Sequence, residues 1–163
     1  MRIGITGHTN LTDGAAQVIY IALVRQLRAF HESCPDTEII GVTCLADGAD
    51  QLFARAVREI GGSYEVVLPA PDYRRVAVTP ARRRAFDALV AGARAVLSTG
   101  ESRSGVRAYV AANRIMLDRV DHLLAVWDGH ERDDPGGTSD VITLARDRDL
   151  PMTVVWPAGA ERA

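Results

Sequence analysis

The sequence predicts an α/β fold in which helices cover both faces of one sheet. Short apolar runs alternate with longer amphipathic segments along the chain. The runs lack the polar and apolar alternation of a half-exposed strand, which indicates strands that are covered on both faces. Strands separated by helices of this length need crossover connections, as parallel strands do. We therefore predict a three-layer Rossmann-like sandwich with a mostly parallel, roughly six-stranded sheet.

The elements follow one another in strict order. Strands are predicted for six apolar runs: RIGIT (2–6), EIIGVTCL (38–45), YEVVLPA (64–70), RAVLST (94–99), HLLAVWD (122–128) and PMTVVWP (151–157). The amphipathic segments between them predict helices over residues 12–32, 47–60, 80–92, 106–119 and 138–148. Cap-type residues mark three of the helix starts, at Thr12, Asp47 and Thr138. The arginine-rich stretch before residue 80 is predicted to be irregular, and GESRSG (100–105) to be a loop.

Length and composition predict a single domain over residues 1–163. The chain of 163 residues is long enough to bury a core, and no linker or internal repeat divides it. The net charge of -2 offers no global basic field for nucleic acid. All 19 basic residues are arginine, which excludes a lysine Schiff base or a phosphate-loop lysine. Neither a signal-peptide h-region nor an apolar segment of the ~20 residues that span a bilayer is present, so we expect a cytoplasmic protein.

Ligands of open parallel sheets lie beyond the carboxyl ends of the strands, which directs attention to the loops there. The first strand ends in Thr6, Gly7 and His8, two hydrogen-bonding side chains around a residue that allows close backbone approach. This loop is neither a dinucleotide fingerprint nor a phosphate loop. We predict that it contacts the ligand, the alternative being a plain turn with His8 exposed on a rim.

The loop after the second strand is read in two ways. Asp47 caps the following helix, and Gly48 leaves no side-chain bulk between the first turn and the neighbouring loop. Asp50 lies in that first turn, where the helix dipole favours a carboxylate. Both Gly48 and Asp50 are candidates for ligand contact, and helix capping is the structural alternative. Cys44, just before this loop, is predicted to be a small buried hydrophobe.

The loop after the fifth strand carries the strongest signal. Asp128 begins a turn, and Gly136, Gly137 and Thr138 then lead directly into a helix. A glycine-rich turn at a helix N-terminus presents free N–H groups and the positive end of the helix dipole to an anion. The two carboxylates that precede the glycines, Asp133 and Asp134, would repel a phosphate, so they either face solvent or, as the less favoured option, hold a divalent ion beside it.

Several of these motifs together resemble the SLOG superfamily of Rossmann-like domains. The residues that carry the resemblance are GITGH, LADGADQL, ANRIMLDRVDHLLAVWDG and GGTSDVI, spread over residues 1–157. The superfamily includes the DNA-processing protein A (SMF) domain and the Lonely Guy phosphoribohydrolases, which release a free base from nucleoside 5′-monophosphates. Arg114 matches the helix arginine of the Lonely Guy signature, Asp121 its aspartate, and residues 135–138 its glycine-rich turn.

The same comparison shows where the sequence departs from the hydrolases. Ile115 stands in place of the signature lysine, and the turn lacks the glycine between the double glycine and the threonine. Val141 occupies the position of the glutamate that stabilises the cationic transition state, a role valine cannot perform. Asp140 is the carboxylate that would replace it. From the residues alone, Arg114 is equally an ordinary i,i+4 partner of Asp118.

We therefore predict a binding module that holds a nucleotide or nucleotide-derived ligand, as a sensor or carrier. The resemblance implies a phosphate on the backbone of residues 136–138, with Arg114 as its charge partner and no required cofactor. The alternative is a nucleoside 5′-monophosphate phosphoribohydrolase with Arg114 and Asp140 as catalytic residues. A DNA-binding module is the weaker alternative, because no stripe of aromatic and basic residues is present. The resemblance also implies a homo-oligomer.

Overall fold

The computed structural model describes residues 1–132 and 134–163. The strands are β1 (Arg2–Gly7), β2 (Ile40–Thr43), β3 (Ser63–Leu68), β4 (Ala95–Ser98), β5 (His122–Val126) and β6 (Met152–Val154). The helices are α1 (Asp13–Ser33), α2 (Ala49–Glu59), α3 (Tyr73–Ala77), α4 (Arg83–Ala91), α5 (Val106–Leu117) and α6 (Thr138–Arg146). None of the helices in these two ranges is both long enough and apolar enough to cross a membrane.

The six strands form one sheet in the order β4-β3-β2-β1-β5-β6, and every neighbouring pair is parallel. The predicted α/β class and roughly six-stranded sheet are confirmed, and the sheet is wholly parallel. From β1 the chain adds strands outward to β4, then returns to the other side of β1 with β5 and β6. The strand order therefore reverses between β1 and β5, which is where such sheets open a crevice for a ligand.

The core lies on both faces of the sheet, as the continuous apolar runs predicted. On one face, α1, α2 and α4 pack on the central strands through buried side chains such as Leu23, Phe53 and Phe86. On the other face, α5 and α6 contribute Met116 and Val141. Val141, the residue in place of the hydrolase glutamate, is thus fully part of the core, with 1% of its surface exposed.

The segment predicted to be irregular after β3 contains the short helix α3. Tyr73, at its first position, is buried and packs against Phe86 and Tyr109, with ring centroids 6.2 and 6.0 Å away. A single turn among arginines has no periodic pattern to reveal it, because its position depends on one aromatic anchor. This anchor brings α3 to the carboxyl edge of the sheet.

At the amino edge of the sheet, a carboxylate on β3 lies between two arginines. Glu65 accepts hydrogen bonds from the guanidinium groups of Arg2 and Arg119, and only 6% of the residue is exposed. The hydrogen bond from Arg2, with the charges of both arginines, lowers the pKa of Glu65 despite its burial. This cluster ties β1, β3 and the end of α5 together.

Replacing Glu65 with glutamine is expected to lower the free energy of unfolding at pH 7 by about 1.5–3 kcal/mol, the range for hydrogen bonds to charged groups. Since the pKa of Glu65 is lowered on folding, its contribution exists above the unfolded-state pKa and is lost as the pH falls through the folded value. Urea unfolding at pH 7 and pH 3 should show the difference from wild type shrinking in acid. Glu38→Gln, in an exposed pair with Arg94, is the control and should behave like wild type.

Candidate functional site

A cavity of about 430 Å³ opens at the carboxyl edge of the sheet, at the point where the strand order reverses. The loops after β1, β2, β3 and β5 form its walls, together with α3, one face of α5 and the first turn of α6. Seven of the predicted site residues line it: Thr6, Gly7, His8, Asp50, Gly136, Gly137 and Thr138. The loops that follow the carboxyl ends of the strands, where the sequence predicts ligand contacts, therefore meet at this cavity.

His8 is buried in the wall rather than exposed on a rim, with 6% of its surface accessible. Its Nε2 accepts a hydrogen bond of 3.1 Å from the backbone N–H of Asp128. Burial and the positive charge of Arg162 lower the pKa of His8, so the imidazole is neutral at pH 7. The same Nε2 lies 3.1 Å from Oδ1 of Asp128, so the backbone and the side chain of Asp128 both hold the ring in place.

Asp128 lies behind His8 and is not among the residues that line the cavity. Its Oδ1 accepts a hydrogen bond of 3.0 Å from the backbone N–H of His130, and its Oδ2 lies 3.5 Å from Nη1 of Arg162. Burial opposes ionisation, but the His130 hydrogen bond and the neighbouring His8 hold the pKa of Asp128 at about 2. Asp128 therefore acts as a fixed negative charge that positions its neighbours.

Gly48 also lies outside the lining, and its role is to seat α2 against the β1 loop. It has a φ of +74°, and a Cβ there would lie 2.5 Å from the carbonyl oxygen of His8. The next residue, Ala49, donates its N–H to that same oxygen at 3.2 Å. Only glycine fits this contact, so close packing alone accounts for the glycine at position 48.

Asp50 reaches the floor of the cavity from the first turn of α2. Its Oδ2 accepts hydrogen bonds from Thr43 Oγ1 at 3.1 Å and from the backbone N–H of Cys44 at 3.2 Å. Only 5% of the residue is exposed, and burial raises the pKa of Asp50 to about 7. The side chain is thus an acceptor that carries a charge only part of the time near neutral pH.

The glycine-rich turn before α6 is held open from both sides. Gly136, with a φ of +80°, donates its N–H to Oδ2 of Asp140 at 3.0 Å and accepts a hydrogen bond of 2.9 Å from Nδ2 of Asn113. The backbone N–H groups of Thr138 and Ser139 donate to no residue that the structure describes, and no side-chain cap covers them. These amides begin α6 at the cavity wall.

Three more of the predicted residues, Arg114, Asp140 and Asp121, lie outside the cavity lining. Arg114 is exposed, and the neighbouring Asn113 is the residue of α5 that faces the turn. One position along a helix rotates a side chain by about 100°, which separates the two. Asp140 has its carboxylate engaged by Gly136, as described above. Asp121 accepts the N–H of Arg2 at 2.8 Å, at the opposite edge of the sheet.

Of the two carboxylates considered for a divalent ion, the structure describes one. Asp133 lies outside the described residues. Asp134 lines the cavity, and its Oδ2 lies so near Gly137 that a Cβ there would come within 2.4 Å of it.

Sequence reasoning missed several residues that line the cavity. Tyr73 and Asn113 come from helices whose orientation is set by packing. Arg132 lies in the loop before the glycine-rich turn, and Arg162 lies in the segment 161–163. Burial raises the pKa of the Tyr73 phenol, which keeps its hydroxyl protonated. Cys44, predicted as a buried hydrophobe, also lines the cavity, and burial raises the pKa of its thiol. Asn113 lies within the quoted motif ANRIMLDRVDHLLAVWDG, directly before Arg114.

Comparison with known proteins gives structural but not sequence relatives. No family model matches the sequence, and no curated protein matches it either. DNA processing protein A from Streptococcus pneumoniae has a similar structure, with a TM-score of 0.67 at 17% identity over 94% of this chain and 49% of that one. DNA processing protein A from Helicobacter pylori, described for its single-stranded DNA binding mode, gives a TM-score of 0.66 at 18% identity over 94% and 64%.

A third relative has a different described role. The Moco carrier protein from Chlamydomonas reinhardtii gives a TM-score of 0.55 at 16% identity, over 94% of this chain and 74% of that one. This chain spans about half and two thirds of the two DNA processing proteins, so what they share is one domain's fold. At 16–18% identity these likenesses show a shared Rossmann-like fold, which is the fold that the predicted resemblance implies.

Proposed function

We propose that this protein binds a nucleotide or nucleotide-derived ligand in the cavity, with a phosphate at the N-terminus of α6. The observation that carries the proposal is the pair of free amides, those of Thr138 and Ser139, at the wall of a cavity formed where the strand order reverses. Free N–H groups and the helix dipole both favour an anion there. The turn is built in advance, because Asp140 and Asn113 fix Gly136 from two sides.

The rest of the cavity suits the uncharged part of such a ligand. Tyr73 and Tyr109 supply aromatic surface beside the α6 turn, and Thr6, Asp50 and Asn113 supply hydrogen-bonding groups. A volume of about 430 Å³ is within the range of small-molecule sites. Aromatic faces with a few placed polar groups are the usual means of holding a sugar and a base.

Thr138→Pro tests the phosphate position directly. Proline is tolerated at the first position of a helix, and Gly137, with φ -86° and ψ -172°, already has the extended conformation that precedes proline. The substitution removes one free amide, so the affinity for a nucleoside 5′-monophosphate is expected to fall about 10-fold. Isothermal titration with the common nucleoside 5′-monophosphates and with the matching nucleosides measures this effect.

The control for that experiment is Thr138→Ala, which keeps the amide and loses only the hydroxyl. It should retain most of the affinity, and the affinity for the unphosphorylated nucleoside should be equal in all three proteins. A proline variant that binds the monophosphate as well as wild type does would contradict the phosphate position. If an oligonucleotide competes and its affinity falls steeply with salt, a nucleic-acid strand is the ligand instead.

The phosphoribohydrolase alternative depends on Asp140, since Val141 is in the core. The carboxylate of Asp140 already accepts the N–H of Gly136, which supports binding without turnover. Asp140→Asn keeps an oxygen acceptor for that N–H and removes the charge. We expect wild type to leave every nucleoside 5′-monophosphate intact, as checked by chromatography for free base. Release of base that disappears in Asp140→Asn would establish the enzyme instead.

A further inference from the structure

The last residues of the chain form one side of the cavity. Residues 161–163 run antiparallel to residues 10–12, in the loop between β1 and α1, with a bridge between Leu11 and Arg162. The N–H of Ala163 donates to the carbonyl oxygen of Asn10 at 2.8 Å, and the N–H of Thr12 donates to that of Glu161 at 3.3 Å. This pairing fixes the backbone of Arg162 and turns its side chain into the cavity wall.

The guanidinium of Arg162 is held at one end and unsatisfied at the other. Its Nε donates a hydrogen bond of 3.2 Å to Oδ1 of Asn10, which sets the plane of the group. Its Nη1 is shielded from solvent and makes no hydrogen bond with any residue that the structure describes. Asp128 Oδ2, at 3.5 Å, is within ion-pair range but not in hydrogen-bond geometry.

A buried guanidinium nitrogen without an acceptor is costly, and such groups are rare unless something else satisfies them. Asp128 supplies charge neutralisation while leaving the donor free. His8 Nε2 lies 3.1 Å from both the backbone nitrogen and Oδ1 of Asp128, and it makes no hydrogen bond with Arg162. Nη1 itself has no surface that a ligand could reach, so an acceptor that enters the cavity meets the outer end of the guanidinium, where Nη2 makes no hydrogen bond with any residue that the structure describes and the side chain keeps 21% of its surface exposed.

Arg162 and the α6 turn belong to the same part of the cavity. Arg132 also lines the cavity, and its backbone N–H donates to Oγ of Ser139, in the first turn of α6, at 3.0 Å. Arg132, Arg162 and His8 all line the cavity, and the charges of both arginines lower the pKa of His8. An anion at the start of α6 is therefore within the field of both.

We propose that Arg162 is the phosphate-binding arginine of this site, and that residues 161–163 form the wall that selects phosphorylated ligands over their unphosphorylated counterparts. This inference rests on the proposed function only for the statement that the phosphate belongs to a nucleotide. In it, Nη2 of Arg162 donates to a phosphate oxygen that the free amides of α6 also contact. Arginine suits this role because its planar group donates in a fixed direction while its Nε stays bound to Asn10.

Arg162→Met tests the assignment, with Arg94→Met as the matched control. Arg94 pairs with Glu38 at the opposite edge of the sheet, so its loss reports only on net charge. The affinity for a nucleoside 5′-monophosphate is expected to fall about 10- to 100-fold in Arg162→Met and to stay unchanged in Arg94→Met. The affinity for the nucleoside should be the same in all proteins, and Arg162→Lys should recover part of the loss.

A second measurement uses inorganic pyrophosphate and the wild-type protein, so it depends on no nucleotide, and a variant serves only to assign the signal. The arginine Nε–H signals are followed by NMR during the titration, with Arg162→Lys identifying the signal of Arg162. We expect that signal to shift while the signal of Arg94 stays in place.

The two measurements separate the inference from the proposed function. Monophosphate binding that is equal in wild type and Arg162→Met overturns the inference and leaves the proposed function standing. If the Arg162 signal shifts with pyrophosphate but no nucleotide binds, the anion site stands and the proposal that the ligand is a nucleotide is overturned. If the protein binds no nucleotide and the Arg162 signal does not shift with pyrophosphate, both the inference and the proposed function are overturned.

Discussion

Gly7→Ala is expected to destabilise the protein by about 3 kcal/mol or more, because the new methyl group has no space. A Cβ at Gly7 would lie 2.6 Å from Cβ of Ala49, 2.7 Å from Cβ of Val126 and 2.9 Å from the carbonyl oxygen of Val126. None of these atoms belongs to a flexible side-chain end, so relief requires moving the start of α2 away from β1, or β1 away from β5. Both movements would shift a wall of the cavity, because Gly7 lines it.

Urea unfolding followed by circular dichroism measures the loss. Gly14→Ala is the matched control, since a Cβ at Gly14 meets nothing within 4 Å and the residue lies in the first turn of α1. That variant should equal wild type or exceed it by up to about 1 kcal/mol, the advantage of alanine over glycine in a helix. A Gly7→Ala protein as stable as Gly14→Ala would show that the close packing of β1 against α2 and β5 is not a requirement of this fold.

The fold could be predicted because its signal is local and repeated. Each strand is an apolar run bounded by helical segments, and each parallel connection follows from the length of the helix between two strands. The edges of the elements differ by a few residues, as with β6, predicted over 151–157 and observed as Met152–Val154. Helix α3 escaped prediction because its single turn is fixed by the burial of Tyr73 and not by any periodicity.

The candidate site could be predicted only where it depends on strand ends. The rule that ligands lie beyond the carboxyl ends of parallel strands identified Thr6, Gly7, His8 and the turn at 136–138, and these residues meet at one cavity. The helix residue that faces the turn, Asn113 rather than Arg114, depends on the rotation of α5 about its axis, to which the family motif offers no reliable guide. Arg162 lies 152 positions from its partner Asn10, and no local pattern reveals such a pairing.

Asp50→Asn is expected to change how stability depends on pH. Burial raises the folded-state pKa of Asp50 to about 7 from its ordinary value of 3.8. A raised pKa contributes stability that is fully present below the unfolded-state pKa and is lost as the pH rises through the folded value. The wild type therefore loses stability between about pH 4 and pH 7 through this carboxylate, whereas asparagine has no proton to lose.

Relative to wild type, Asp50→Asn should gain roughly 2–3 kcal/mol between pH 5 and pH 8 in urea unfolding. Asp47→Asn, at a less deeply buried carboxylate that lines the same cavity, is the control for the loss of one aspartate there. Parallel curves for wild type and Asp50→Asn would show that Asp50 ionises as an ordinary carboxylate. A gain in stability of Asp50→Asn over wild type would instead show that the carboxyl group at the cavity floor has a pKa near 7. A ligand that donates a hydrogen bond to that group would then favour the carboxylate, so binding near pH 7 would release a proton.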